Sequence, residues 1–312
     1  MIFTIKVLTL IFLLMITCSW GFYAHKKINE TAVFLLPPEI APFFKKNIKL
    51  ITEKAVDADK RCYIDTIESP RHYIDIDRYE NIDSVPIHWS KAVEKYSERK
   101  LLAQGIVPWQ IWKTYQNLVR SFKDRNEAKI IQYSADIGHY IADAHVPLHT
   151  SSNYNGQYTD QIGIHAFWET RLPEMFSHEY NYFIKRAVYI NDPLEESWKI
   201  VRESNAMVDS VLQIEKLLSK EFKPSERKAY IERNNQLIYT YSDRYATKYH
   251  QALNGMVERR LRSSIFYVAS IWYSAWIDAG QPNLSKLKVN EADFHPIENT
   301  QNKRPLGREE WH

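Results

Sequence analysis

Two pairs of histidine and carboxylate residues constrain the fold of this 312-residue chain more than any other feature. His139 and Asp143, in SADIGHYIADAHVPLH, stand four residues apart, a spacing that places both on one face of an α-helix. A proline then ends the helical pattern, and His149 lies just beyond it. His165 and Glu169, in GIHAFWET, repeat the four-residue spacing. The sequence therefore predicts two helical segments that each present an imidazole beside a carboxylate.

These groups favour a metal site. A single such pair is usually a solvated helix face or a hydrogen-bonded core histidine. Two pairs with His149 between them, in a chain that has 11 histidines, favour metal binding instead. Imidazole nitrogen and carboxylate oxygen are donors that zinc accepts readily.

Further donors lie upstream. The segment PRHYIDID carries His72, and VDADKR offers a carboxylate from Asp57 or Asp59. Trp20 stands five residues before His25. If Trp20 began the mature chain, its free α-amino group and its carbonyl could chelate a metal beside His25. Alternatively, Trp20 is an ordinary residue at the end of a signal sequence, and His25 an exposed residue at a helix start.

The first residues have the pattern of a secretory signal peptide. Lys6 precedes a ten-residue apolar stretch, residues 7–16, which is too short to span a membrane comfortably. Small residues follow, and we expect cleavage after Ser19 and a secreted or periplasmic protein. An uncleaved anchor helix is the alternative. Cleavage would remove Cys18 and leave Cys62, which we expect to be a buried thiol that does not bind zinc.

The remaining sequence predicts an all-α protein. Only 8 glycines argue against an all-β fold, and a net charge of +3 is too small to imply nucleic-acid or anionic-membrane binding. We expect a signal peptide at 1–19, one multi-helix domain at 20–282, an irregular tail at 283–312, and long loops at 57–86 and 151–163. Helical patterns cover residues 26–36, 40–54, 88–102, 108–122, 127–144, 165–172, 192–218 and a long apolar stripe at 256–276.

Taken together, these residues resemble the superfamily that joins zinc-dependent phospholipase C with the S1/P1 nucleases. Its members are all-helical, begin at a tryptophan after signal removal, and bind three zinc ions through that tryptophan, five histidines and three carboxylates. Asp59 is preferred to Asp57 because it follows Ala58, as in the family. The matching positions are Trp20, His25, Asp59, His72, His139, Asp143, His149, His165 and Glu169.

Different positions resemble different branches of this superfamily. The five-residue spacing from Trp20 to His25 is similar to that of the nucleases. Glu169, where nucleases usually carry aspartate, is similar to the phospholipases, as is the short gap between His149 and His165.

The resemblance implies a secreted, zinc-dependent phosphodiesterase that hydrolyses phosphate esters with a metal-activated water, as phospholipase C does. It implies that Asp143 bridges two of the three ions, and that Asp59 is also catalytic, by orienting the water or accepting its proton. A single-strand nuclease of the S1/P1 type (an endonuclease or 3'-nucleotidase) is the alternative, and a non-catalytic zinc-binding protein is a further one. The expected partners are a phospholipid or single-stranded nucleic acid, with transient membrane-surface contact, and the expected state is a monomer.

Overall fold

The computed structural model describes residues 22–233, 236–285 and 287. In these ranges the chain is all-α, as predicted, apart from one small hairpin. The predicted signal peptide and Trp20 lie outside the described residues, as does most of the predicted tail. The α-helices are α1 (Phe22–Ala32), α2 (Ala41–Lys46), α3 (Ile48–Lys54), α4 (Asp57–Cys62), α5 (Trp89–Tyr96), α6 (Glu98–Gln104), α7 (Val107–Lys123), α8 (Glu127–Ala144), α9 (Ile164–Ala166), α10 (Leu172–Phe176), α11 (Pro193–Asn205), α12 (Val208–Ser219), α13 (Pro224–Arg227), α14 (Asp243–Ala252) and α15 (Met256–Asp278).

Helix α8 is central to the packing, because α1, α3, α7 and α15 all contact it. The side chain of Asn126 caps its first turn by accepting a hydrogen bond from the backbone N–H of Lys129. The apolar stripe predicted near the C-terminus forms the long helix α15, and Trp272 on this helix is fully buried. The Trp272 indole donates to the carbonyl of Ser134 on α8 at 2.9 Å and stacks on Phe44. This contact joins the last helix to the one that carries the first histidine/carboxylate pair.

Helices α1 and α8 approach closely at a glycine. A Cβ atom built on Gly138 would lie only 2.0 Å from Oδ1 of Asn29 on α1. The Asn29 amide donates to the carbonyl of Ala135 at 3.2 Å, which holds the two helices in this register. One turn earlier on α1, the ring of His25 stacks on that of His139, with 4.0 Å between ring centroids. Glycine at position 138 therefore brings two predicted metal ligands together.

Several local predictions were wrong. The predicted loop at 57–86 contains α4 and three short 3-10 helices, Ser69–Arg71, Ile76–Arg78 and Ile82–Ser84. Acidic residues in the first turn of α4 and basic residues in its last turn suit the helix dipole. The helix predicted at 40–54 is interrupted at Asn47, which the periodicity does not reveal.

The two strands Lys228–Arg233 and Gln236–Tyr241 pair antiparallel, with Tyr230 opposite Tyr239. No strand was predicted here, although the sequence Asn234-Asn235 between two β-favouring runs is a typical turn signal. Among the residues that the structure describes, no helix combines the length and apolarity needed to cross a bilayer. The described part of the predicted tail, 283–285 and 287, contains neither helix nor strand.

Candidate metal centre

Eight of the nine predicted ligand positions lie in the described part of the chain, and all eight side chains meet in one buried cluster. None of the eight residues is more than 5% exposed. They come from α1, α4, α8, α9 and the segments next to these helices, so the tertiary fold brings them together. The cluster consists of His25, Asp59, His72, His139, Asp143, His149, His165 and Glu169.

The first pair on α8 faces donors from the predicted loop. Oδ2 of Asp143 lies 3.2 Å from Nε2 of His139 and 3.0 Å from Nδ1 of His72. Oδ1 of Asp59 lies 3.2 Å from Nε2 of His139. His72 directly follows the 3-10 helix Ser69–Arg71, and Asp59 lies on α4. We call these four residues the Asp143 group.

The second pair forms a separate group with His149. Oε2 of Glu169 lies 2.8 Å from Nε2 of His165 and 3.2 Å from Nε2 of His149. His149 lies on the 3-10 helix Pro147–Thr150 beyond the end of α8. Glu169 lies in a π-helical turn, Phe167–Arg171, which directly follows α9. Such turns occur frequently at functional sites. We call these three residues the Glu169 group.

His25 lies between the two groups. Its Nε2 atom is 3.4 Å from Oδ1 of Asp143 and 3.5 Å from Oε1 of Glu169. His25, Asp143 and Glu169 therefore form a further set of donors that lie within 4.8 Å of one another. The same cluster thus offers several overlapping positions at which a cation could be held.

Backbone carbonyls fix the orientation of two of the rings. Nδ1 of His139 donates to the carbonyl of Ala55 at 2.8 Å, and Nδ1 of His149 donates to the carbonyl of His72 at 2.7 Å. In both rings Nε2 is left to face the carboxylates. Metal-binding histidines are commonly oriented by a hydrogen bond of this kind at the other ring nitrogen.

The electrostatics of the cluster favour positive charge. Burial alone would raise the pKa of the Asp143 carboxyl, but nearby imidazoles, chiefly that of His139, hold this pKa well below 3.8. Burial would likewise raise the pKa of Glu169, but nearby imidazoles, chiefly that of His149, hold this pKa well below 4.5. Burial opposes the charged form of His139, yet Asp143 and Asp59 outweigh it and raise the pKa of His139 well above 6.5. The carboxylates are therefore ionised and stabilise a cation in this pocket.

The donor set fits metal ions. Both ring nitrogens of His25, Oδ1 of Asp143 and Oε1 of Glu169 are buried and have no hydrogen-bond partner among the described residues. Unpaired buried polar atoms are rare because each costs free energy, and they call for a ligand, a water or an ion. Imidazole nitrogens and carboxylate oxygens together are the donors typical of zinc sites.

Of the two candidate carboxylates in VDADKR, the structure places Asp59 in the cluster and Asp57 outside it. The carboxylate of Asp57 pairs with Lys60 at 2.8 Å and with Lys54 at 3.4 Å, away from the cluster. Cys62, expected to be buried, is half-buried. Its Sγ atom lies 3.4 Å from Nε2 of His72, on the side of the ring that faces away from Asp143.

A buried arginine holds the end of α8 in place. Arg260 on α15 donates from Nε to the carbonyl of His145 at 3.0 Å and from Nη2 to the Ser204 hydroxyl at 2.6 Å. That hydroxyl in turn donates to the carbonyl of Ala144. These bonds satisfy carbonyls that the helix end leaves without partners. They also fix the direction in which the chain leaves α8 toward His149.

Sequence reasoning missed Glu68, which is fully buried and contacts His72. Glu68 precedes His72 by four residues, the same spacing that identified the two pairs described above. The signal was therefore present, but the segment was interpreted as a loop, where a four-residue spacing has no structural meaning.

Comparison with known proteins found structural likenesses but no match in sequence. No family model matches the chain, and no curated protein matches its sequence. Among solved structures, the alpha toxin from Clostridium absonum aligns with a TM-score of 0.48 and 12% sequence identity. The aligned region covers 80% of this chain and 63% of the toxin chain, so this chain spans less than two thirds of the toxin's length.

Proposed function

We propose that this chain is a zinc-dependent phosphoric ester hydrolase with a phospholipase C-like activity. One observation carries the proposal: eight imidazole and carboxylate side chains from separate segments converge in one buried, cation-favouring cluster. The order and identity of these residues also resemble those of the zinc-dependent phospholipase C and S1/P1 nuclease superfamily.

We assign three zinc ions to the cluster. The Asp143 group would hold the first, and the Glu169 group the third. His25 would hold the second together with the α-amino group and carbonyl of Trp20, with Asp143 bridging the first and second ions. This assignment is consistent with the overlapping donor sets, in which Asp143 is close to His139, His72 and His25.

When bound, zinc ions neutralise the charge of a phosphate ester and lower the pKa of a coordinated water toward about 7. The chain's own residues hold the donors in fixed positions and exclude bulk water, since the ligand side chains are buried. Asp59 faces His139 within the cluster and is the residue that we assign to orient the attacking water or to accept its proton. We also propose that the protein is exported, is a monomer, and contacts a membrane surface transiently to reach its substrate.

The first prediction concerns metal content and substrate. Mature protein purified without chelator should contain close to three zinc ions per chain by elemental analysis. It should release the phosphorylated head group from phosphatidylcholine, and removal of zinc should abolish this activity. One metal ion or fewer per chain would contradict the trinuclear assignment.

The same assay separates the alternatives. The spacing from Trp20 to His25 favours the nuclease branch, so single-stranded DNA should be tested beside phosphatidylcholine with the same zinc-loaded sample. Hydrolysis of DNA without hydrolysis of lipid would replace the phospholipase proposal by the nuclease one. Full zinc content with neither activity would indicate a non-catalytic zinc-binding protein.

A second prediction links export to metal binding. Chain that begins at Trp20 should bind the full zinc complement, whereas chain with one extra methionine before Trp20 should bind one zinc ion fewer and lose most of its rate. An upstream peptide bond turns the amine into an amide, which is a poor metal ligand. Equal zinc content and equal rates in the two forms would refute the role of Trp20.

A further inference from the structure

Glu68 is a buried carboxylate that the proposed function does not use. It is 0% exposed, although an ionised carboxylate is costly to bury without partners. Its partners are cationic or polar. Nη2 of Arg61 lies 3.3 Å from Oε1, and Arg71 and the Tyr140 hydroxyl donate hydrogen bonds to the same carboxylate. The guanidinium groups of Arg61 and Arg71 both lie against this carboxylate and favour its ionised form. Glu68 is therefore an ionised acceptor in a rigid setting.

The ring of His72 lies between this carboxylate and the Asp143 group. Its Nδ1 atom is 3.0 Å from Oδ2 of Asp143 and 3.0 Å from Nε2 of His139. Its Nε2 atom points the opposite way and lies 3.6 Å from Oε1 of Glu68. The two nitrogens of this ring thus face two different environments.

His72 differs in this respect from His139 and His149. Those rings donate from Nδ1 to backbone carbonyls and turn Nε2 toward the carboxylates. His72 has the reverse orientation, with Nδ1 inward. The acceptors near its outward Nε2 atom include the Glu68 carboxylate at 3.6 Å and the Cys62 thiol at 3.4 Å. An ionised carboxylate is much the stronger acceptor of the two.

We propose that Glu68 is a positioning residue: its anionic carboxylate, 3.6 Å from Nε2 of His72, keeps the ring proton on Nε2 and so directs the Nδ1 lone pair at the metal ion of the Asp143 group. Arg61, Arg71 and Tyr140 hold the carboxylate in place and balance its charge. The inference rests on the proposed metal site. It goes further by naming Nδ1 as the nitrogen of His72 that binds the metal and Glu68 as the residue that determines this. Groups that orient a metal-binding histidine from its other ring nitrogen typically raise metal affinity by about 10- to 100-fold.

The first test needs no variant. Long-range ¹H–¹⁵N correlation NMR of ¹⁵N-histidine-labelled, zinc-loaded protein distinguishes rings that bind metal through Nδ1 from those that bind through Nε2. His72, assigned by its loss in a His72→Asn variant, should show the pattern of a protonated Nε2 and a metal-bound Nδ1. A pattern showing zinc on Nε2 would overturn the inference, because that atom would then carry no proton for the Glu68 carboxylate to hold in place.

The second test is Glu68→Gln, with Asp136→Asn as the matched control. Asp136 is buried and lies in the same network, where Arg61 donates to it at 3.1 Å, but its carboxylate is not a partner of His72. Glu68→Gln should weaken the binding of one zinc ion by about 10- to 100-fold in chelator competition. It should also change the visible absorption of the cobalt-substituted protein. Asp136→Asn should weaken zinc binding and change the cobalt absorption much less.

Equal losses of affinity in the two variants would show that Glu68 acts only through the stability of the network, and would overturn the inference. Circular dichroism of both variants checks that the helical fold is kept, and the NMR experiment decides the matter if Glu68→Gln fails to fold. Absence of zinc from the unsubstituted protein would instead refute the proposed function, so the two failures are distinguishable.

Discussion

Asp143→Asn should remove at least one zinc ion per chain and lower phosphodiester hydrolysis on the order of a thousandfold, which corresponds to about 4 kcal/mol of activation free energy. Asparagine preserves the shape of the side chain but removes the negative charge. Asp143 lies 3.0–3.4 Å from donor nitrogens of His72, His139 and His25, so it is the acidic residue shared by two proposed ions. Without this negative charge, less of the repulsion between two adjacent dications would be offset.

Asp136→Asn is the control for this experiment, because it makes the same chemical change at a buried position two turns earlier on α8. It should leave zinc content close to that of the unsubstituted protein. Zinc content should be measured by elemental analysis and the rate with a chromogenic phosphodiester. An Asp143→Asn protein with full zinc content and unchanged rate would rule out the bridging role.

Gly138→Ala should destabilise the protein by about 1–3 kcal/mol, the usual cost of overpacking a close-packed core. The new methyl group would lie 2.0 Å from Oδ1 of Asn29, so α1 and α8 must separate or Asn29 must turn away. Separation would pull His25 from its place against His139, and we therefore expect the loss of one zinc ion as well. Urea denaturation and elemental analysis measure the two effects.

A second substitution tests whether the contact with Asn29 causes the loss of stability. Asn29→Ala removes the atoms that the new methyl group would meet, at the cost of the hydrogen bond to Ala135. Gly138→Ala combined with Asn29→Ala should therefore be about as stable as Asn29→Ala alone, because the contact responsible is gone. Fully additive losses would mean that the α1–α8 contact is not what requires glycine.

The sequence predicted the fold class and the extent of α8, because a helical pattern covers residues 127–144 and a proline soon after them ends it. It also identified the residues that the structure brings into one cluster, because their types and spacings are local signals. The family resemblance implied which of these residues share an ion, but the local patterns alone do not indicate how the Asp143 and Glu169 groups are arranged around His25. That arrangement depends on tertiary contacts, such as the one between Gly138 and Asn29, which no local pattern encodes.

The misses have physical causes. Helix α4 is only six residues long, and its stability comes from packing and its charged ends more than from a periodic apolar face. The exposed positions of the hairpin include the apolar residues Tyr230, Leu237 and Tyr239, so its sequence lacks the alternation of apolar and polar residues that predicts a strand. Glu68 was overlooked because its four-residue spacing from His72 falls in a segment that the turn signals indicated to be a loop.

The close approach of α1 to α8 has a consequence for folding kinetics. His139 and Asp143 are adjacent as soon as α8 forms, which takes microseconds or less for an isolated helix. His25 reaches them only after the chain closes a loop of 139 − 25 = 114 residues, and such long-range closure is slow. A refolding chain therefore offers isolated pairs of donors first and the complete set last, so that full metal uptake marks the end of folding.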